Sequence, residues 1–267
     1  MAKYKIVKNR VQLWDPRFDH YSDEALSFFD KLESLAGSPP PIALSDTREL
    51  VEWRDKRWKD FGEAIENCRH KIQAVNYSVS LIESEIKNPP IPNYQSLPIN
   101  LDETEFFDDV ILFEFESFLF QISSTLDVFV HLLVLFYPAL YSEKKYKIGF
   151  KGKDGIAGKK TAILLKESGE LKLARYIEKQ TDAWIQKIYD LRNGAMHQSK
   201  VKDLQMFLID KNGLHVPKLS NGGIDLLVYC RDAYKNLKVF LNFIESNFLL
   251  VKTNYFYDKK YFCTEPS

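Results

Sequence analysis

One stretch of the sequence combines residue types suited to proton transfer and to phosphate binding. The segment RNGAMH contains Arg192, Asn193 and His197 within a helix-forming run. His197 can exchange a proton near neutral pH, because the ordinary pKa of histidine is about 6.5. Arg192 can hold phosphate oxygens through its fork of donors, and Asn193 can orient the phosphate or the imidazole. These side chains suit cleavage of RNA by attack of its own 2′-hydroxyl on the adjacent phosphate.

The geometry of a continuous helix separates these groups. Asp190 shares a helix face with Asn193 and His197, whereas Arg192 falls on the apolar side. Residues 192 and 197 lie about 140° apart at 100° per residue. Three arrangements resolve this separation: the Asn-Gly pair breaks the helix, Arg192 pairs with a core acid such as Asp127, or a second chain completes the site. The plain alternative is an arginine that extends from a packed helix beside a solvent-facing histidine.

A basic segment that contains glycine precedes the motif. Between residues 143 and 166, eight lysines stand against one glutamate and one aspartate. Residues 152–161 resemble a nucleotide-binding P-loop. However, five residues separate its glycines instead of four, and Lys160 stands where serine or threonine would hold magnesium, so we exclude that site. The segment predicts either a solvated loop or a surface that contacts RNA phosphates. The candidate RNA-binding residues are Lys151, Lys153, Lys159 and Lys160.

Composition and charge indicate the class of protein that carries this motif. The chain has 267 residues, 45% apolar and 28% charged, which excludes a disordered chain, a collagen-like repeat and a disulfide scaffold. Basic and acidic residues both number 37, so RNA must be held by a local basic surface. The cysteines form no CxxC pair, which favours a reducing cytoplasm and implies no zinc site. We expect no cofactor and no metal.

One apolar run raises the question of a membrane span. The run from Val110 to Leu140 contains Glu114, Glu116 and Asp127, and its uninterrupted apolar stretches are too short to cross a bilayer. We therefore interpret it as a buried helix, expect no membrane partner, and find no secretory signal at the N-terminus. Asp127 then needs a cation or several donors, because a buried carboxylate is otherwise costly. His131 in the same run is interpreted as a core histidine.

Proline clusters and apolar periodicity predict mostly helices. Between two proline clusters, one long helix carries an apolar seam, which favours packing on the chain's own core over a separate partner helix. A second, central helix should run from near Asp102 to Pro138. A hairpin is predicted around the Asn-Gly pair at 212–213, and a last helix ends near Phe248. The fold class is an all-α helical bundle with one small β-hairpin insertion. The seam residues are Phe61, Ile65, Cys68, Ile72, Val75, Val79, Ile82 and Ile86.

The Arg-Asn-x3-His motif in this helical setting resembles the HEPN superfamily, whose ribonuclease members carry an R-x4-6-H motif. The resemblance covers residues 100–250 and is specific only at the six motif residues. It implies metal-independent RNA cleavage by a homodimer in which two motif copies face one cleft. It also suggests a toxin or antiviral-defence role, with an antitoxin or regulatory protein as a partner. Ser199 stands where some HEPN toxins carry a modified tyrosine, which argues against regulation by that route.

The domain organisation follows from these elements. Residues 1–100 are expected to form an N-terminal helical extension with the seam helix. The resemblance implies a HEPN-like helical core over residues 101–250, and residues 251–267 are expected to form a C-terminal tail.

Three functional hypotheses follow from the sequence. The first is a cytoplasmic, homodimeric endoribonuclease that cleaves single-stranded RNA. Its catalytic residues are Arg192, Asn193 and His197, supported by Asp190 and Asp127. The alternative is a catalytically silent HEPN-like module that binds RNA or a protein. A scaffold without a nucleic-acid ligand is the third.

Overall fold

The structure is a computed structural model that describes residues 3–7, 10–14, 25, 27–36, 46–89, 104–106, 108–137, 140, 150, 152–198, 201, 204–210, 213–219 and 223–258. Within these ranges the chain is mainly helical with short antiparallel strands, which confirms the predicted all-α bundle with a small β-hairpin. The α-helices are α1 (Asp30–Ala36), α2 (Arg48–Lys87), α3 (Asp109–Val134), α4 (Lys159–Glu167), α5 (Leu171–Gln180), α6 (Gln186–Gln198) and α7 (Leu226–Ile244). Two π-helical turns, Thr181–Ile185 and Glu245–Leu249, follow α5 and α7, and a 3-10 helix spans Leu250–Tyr255.

Short strands form small antiparallel sheets beside the helices. They are β1 (Lys3–Val7), β2 (Arg10–Trp14), β3 (Thr104–Phe106), β4 (Leu204–Gln205), β5 (Phe207–Asp210), β6 (Gly213–His215), β7 (Lys218–Leu219) and β8 (Ile224–Asp225). Strands β1 and β2 pair with each other. The predicted hairpin is present as β5 and β6, with β3 as a third strand beside β5, and β4, β7 and β8 form another sheet. The insertion between α6 and α7 is therefore larger than one hairpin.

The two long helices α2 and α3 pack side by side in opposite directions. Lys71 Nζ donates to Gln121 Oε1 at 3.2 Å, and the hydroxyls of Ser78 and Ser117 lie 3.2 Å apart. The seam residues from Phe61 to Ile82 are buried in this chain's own core. The prediction of intramolecular seam packing is therefore confirmed.

Helix α3 begins later than the sequence predicts. Residues 104–106 pair as strand β3, and Asp108 caps the helix by accepting hydrogen bonds from the backbone N–H groups of Val110 and Ile111 at 2.9 and 3.2 Å. The predicted start near Asp102, which itself lies outside the described residues, is wrong. Both Asp102 and Asp108 are suitable N-cap residues. The helix starts after Asp108 because residues 104–106 pair with strand β5.

Helix α3 is not buried on every side. Leu126 and Phe129 are fully buried, but Phe113 is 63% exposed and His131 is also exposed. The prediction of a core histidine is therefore wrong. Among the described helices, α3 is the one whose length and composition would suit a membrane span, yet 56% of its most apolar window is buried in the bundle. This burial is compatible with a soluble protein.

Arg57 joins the C-terminal segment to the long helices. It is buried on α2, donates through Nε to the Phe256 carbonyl at 2.6 Å, and donates through Nη2 to the Leu135 carbonyl. Its guanidinium also lies 4.5 Å from the centroid of the Phe256 ring. Burial lowers the pKa of Arg57 to about 10, so the side chain remains charged at neutral pH. The segment through Phe256 is thereby held against α2 and the end of α3.

Candidate functional site

The motif lies on one long helix. Helix α5, the π-helical turn and α6 follow without interruption from Leu171 to Gln198, so the Asn-Gly pair of the motif does not break the helix. The first of the three predicted arrangements is therefore wrong. As predicted, Asp190 and Asn193 are exposed, whereas Ile188 on the opposite side is buried. His197 belongs to α6, but its side chain lies outside the described part of the structure.

Arg192 is half-buried on the inner edge of α6. Its guanidinium carbon lies 5.2 Å from the centroid of the Tyr189 ring. Its Nε atom is buried and has no hydrogen-bond partner among the described residues. Arg192 also interacts electrostatically with Asp127 of α3, although no salt bridge between the two is found among the described residues. Arg192 therefore lies close to the core acid named by the second predicted arrangement.

Asp127 is the charged group on the inner side of this site. Its Oδ1 accepts a hydrogen bond from the backbone N–H of Phe150 at 2.7 Å. Burial raises the pKa of Asp127, and this effect outweighs the opposing effects of the Phe150 N–H, Arg192, Tyr189 and His131, in that order. Burial, reinforced by Asp127, also raises the pKa of the Tyr189 hydroxyl, which therefore stays protonated. The sequence predicts that Asp127 needs a cation or several donors; the Phe150 N–H and the nearby Arg192 favour its charged form but do not offset its burial.

Gln186 connects the outer face of the motif helix to the basic segment. Its Oε1 accepts from the Ala157 N–H at 2.9 Å, and its Nε2 donates to the Gly155 carbonyl at 3.1 Å and to Asp190 Oδ1 at 2.7 Å. Thr181, in the π-helical turn, donates through Oγ1 to the Ala157 carbonyl at 3.3 Å. Asp190 is therefore tied to Gln186 and, through it, to the segment that carries the candidate lysines.

Residues 153–156 of the basic segment form a tight turn. Lys153 and Ile156 exchange two backbone hydrogen bonds of 3.0 Å across Asp154 and Gly155, whose φ angles are 56° and 77°. Such positive φ values at both central residues are typical of a type I′ turn, for which an Asp-Gly pair is well suited. Lys159 forms an ion pair with Asp154 at 3.0 Å.

The candidate lysines therefore divide into three groups. Lys153 and Lys160 are exposed on the surface. Lys159 is half-buried and held by Asp154. Lys151 lies outside the described residues. The structure thus brings Asp127 near Arg192, ties Asp190 to the basic segment, and does not place Arg192 on the face of Asp190 and Asn193.

Two residues of the site were missed by sequence reasoning. Tyr189 precedes Arg192 by three residues, which places the two side chains next to each other on a helix, so its contact could have been predicted from spacing. The bond of Gln186 to Asp190, four residues on, could likewise have been predicted from spacing. Its bonds to residues 155 and 157 gave no such signal, because these partners are about thirty positions away. Within the described ranges, no cluster of three His, Cys, Asp or Glu side chains could hold a metal ion.

A separate surface cavity of about 300 Å³ lies between α2 and α3. It is lined by Asp60, Glu63, Ala64, Asn67, Val128, His131, Val134 and Leu135. Neither Asp127 nor any residue of the motif helix lines it.

Comparison with known proteins gives no match: no family model, curated protein or solved structure is significantly similar to this chain.

Proposed function

We propose that this protein is a metal-independent endoribonuclease of the HEPN type that cleaves single-stranded RNA in the cytoplasm as a homodimer. The observation that supports the proposal is the Arg-Asn-x3-His motif on one continuous helix of an all-α bundle, with Asn193 and Asp190 exposed to solvent. The motif supplies the proton donor, the cation and the amide that this chemistry needs.

The reaction would proceed by transfer within the RNA. The 2′-oxygen attacks the adjacent phosphorus and loses its proton to a base, the bond from phosphorus to the 5′-oxygen breaks, and that oxygen takes a proton from an acid. The products are a 2′,3′-cyclic phosphate and a free 5′-hydroxyl. His197 would transfer protons, Arg192 would stabilise the charge that develops on the phosphate, and Asn193 would orient it.

The unbroken helix is the reason to propose a dimer. Within one chain, residues 192 and 197 stay about 140° apart, because the helix keeps 100° per residue between them. Two copies that face each other across the motif would supply Arg192 from one chain and His197 from its partner to the same phosphate. Lys151, Lys153, Lys159 and Lys160 would guide the RNA towards this cleft. Toxin or antiviral-defence activity, controlled by an antitoxin or regulatory protein, is the biological role that goes with this proposal.

Cleavage of a mixed-sequence single-stranded RNA in EDTA tests the proposal. We expect wild type to yield 2′,3′-cyclic phosphate ends, and His197→Ala and Arg192→Ala to lose this activity while keeping the fold and the oligomeric mass. Met196→Ala is the matched control, since Met196 is 53% exposed on the same helix and has no role in the chemistry. Failure of wild type to cleave, or full activity in His197→Ala, would contradict the ribonuclease proposal.

A second candidate function is a catalytically silent HEPN-like module that binds RNA or a protein. The half-buried position of Arg192 favours it, because the guanidinium already lies against the Tyr189 ring and interacts electrostatically with Asp127. In that case, Arg192→Ala would lower the free energy of unfolding, and RNA would be bound but not cleaved. Loss of cleavage without loss of stability would instead assign Arg192 to the reaction.

A further inference from the structure

An aromatic pair on the surface has no part in the proposed catalytic site. Tyr176 of α5 stacks on Phe243 of α7, with ring centroids 4.2 Å apart and an angle of 24° between the planes. Phe243 is 40% exposed, and Phe248 lies beside it at 6.1 Å. On its inner side, Tyr176 stacks on the buried Phe240 at 5.8 Å. The core therefore fixes the pair in place, while part of its aromatic surface stays accessible to solvent.

Basic side chains flank this pair on α5. Lys172 and Lys179 precede and follow Tyr176 by four and three residues, which places them within about 60° of it around the helix. Both are exposed, as is Arg175. Among the described residues, none of the three forms a hydrogen bond or ion pair.

Each carboxylate within one helical turn of Tyr176 or Phe243 already has a partner. Glu178 forms an ion pair with Lys166 at 2.6 Å. Glu245 is buried and accepts a hydrogen bond from the Leu32 N–H at 3.2 Å. The charge that remains on this surface is therefore positive, next to an accessible aromatic face.

We propose that Tyr176, Phe243, Lys172 and Lys179 form a stacking platform for single-stranded RNA. Bases would stack on the aromatic pair and phosphates would bind the lysines, a combination that is tolerant of sequence. The inference rests on the proposed function, because it takes RNA as the ligand. Tyr176 lies seventeen residues before Asn193, about 25 Å along the helix. The platform would therefore hold the strand several nucleotides away from the cleaved bond.

The test measures RNA binding without cleavage. A fluorescently labelled single-stranded RNA is titrated in EDTA with the His197→Ala protein, and binding is followed by anisotropy at several salt concentrations. Adding Phe243→Leu keeps an apolar side chain but removes the ring, and we expect about tenfold weaker binding with an unchanged salt dependence.

Replacement of both lysines tests the electrostatic half of the proposal. Lys172→Gln with Lys179→Gln should weaken binding at low salt and lower the slope of log K against log salt by roughly 1.4, or about 0.7 for each lost phosphate contact. The matched control, Lys56→Gln with Lys59→Gln, removes the same charge from exposed positions of α2 and should leave binding within about twofold of the parent, since neither lysine belongs to the platform.

Two results would overturn the platform: no RNA binding by the His197→Ala protein, or equal binding by the platform and control variants. A change of oligomeric mass in Phe243→Leu without any effect on RNA would assign the surface to a protein contact instead. Cleavage of RNA by the wild-type protein in the same buffer tests the ribonuclease proposal separately. Failure of the platform proposal can therefore be told apart from failure of the ribonuclease proposal.

Discussion

At the scale of single residues, Asp127 couples stability to pH. Burial raises its pKa above the ordinary value of 3.8, so the folded state holds the proton more tightly than the unfolded chain does. The stability that this proton contributes is present at low pH and is lost as the pH rises through the raised pKa. Relative to Asp127→Asn, the free energy of unfolding of wild type should therefore fall as the pH rises above about 4.

Urea unfolding at several pH values between 4 and 7 measures this difference. Asp182→Asn is the control for loss of one carboxylate, because Asp182 is exposed on the same motif helix. A constant difference between wild type and Asp127→Asn across this range would contradict the assignment of Asp127 as a buried acid.

Gly158 is required by its position against an aromatic ring. A Cβ atom at Gly158 would lie 2.3 and 2.5 Å from two carbons of the buried Phe150 ring, and its φ of 65° is strained for any other residue. Gly155 has a similar φ of 77° but open space around it. We expect Gly155→Ala to lower the free energy of unfolding by about 1 kcal/mol, and Gly158→Ala to lower it by about 1–3 kcal/mol more. Equal losses in thermal or urea unfolding would show that the ring does not confine this position.

At the scale of secondary-structure elements, Gln186 holds the basic turn on the motif helix. Gln186→Ala removes the bonds to Ala157, Gly155 and Asp190 together, and we expect hydrogen exchange of the Ala157 N–H to become about tenfold faster. Gln186→Glu is the control, since it keeps an oxygen that can accept from Ala157. An unchanged rate of hydrogen exchange in Gln186→Ala would mean that Thr181, and not Gln186, holds the turn against the motif helix.

The sequence predicts these elements unevenly, for physical reasons. The seam on α2 is a long periodic signal, and it predicts both the helix and its buried face. The Asn-Gly pair at 212–213 likewise predicts the hairpin, because few residues tolerate that turn. The start of α3 depends on pairing between β3 and β5, which are a hundred residues apart, so no local pattern decides it. The exposure of His131 likewise depends on how α3 packs against the other helices, which no local pattern determines.

In the candidate site, too, local patterns were predictable from the sequence and contacts between distant segments were not. The faces of the motif helix follow from its period, so exposed Asp190 and Asn193 and buried Ile188 were predictable. The proximity of Arg192 to Asp127 was one of several open arrangements, because the sequence does not determine how α3 and α6 pack. The bonds of Gln186 to Gly155 and Ala157 were not predictable, since a polar residue on a helix surface has many equivalent distant partners.

At the scale of the whole molecule, Arg57 ties distant parts of the chain together. Arg57→Ala would leave the Phe256 and Leu135 carbonyls without this donor and remove a buried cation from an aromatic ring. We expect a loss of about 2–4 kcal/mol in the free energy of unfolding. Arg48→Ala, on the same helix but with a side chain 91% exposed, should change it by less than about 0.5 kcal/mol. Similar stabilities of the two variants in urea would contradict the role given to Arg57.

The π-helical turn at Thr181–Ile185 has a consequence for how this chain is compared with others. A π-helical turn holds one residue more than the α-helical turn it replaces. Removal of one residue there would restore regular α-helical winding and leave the residues beyond it facing nearly the same direction relative to α5, because the extra residue is taken up within a single turn. Asn193 and His197 would then keep their positions around the helix although the chain before them was one residue shorter. An alignment of this helix with a shorter one must therefore place its gap inside the π turn if the motifs are to superimpose in space.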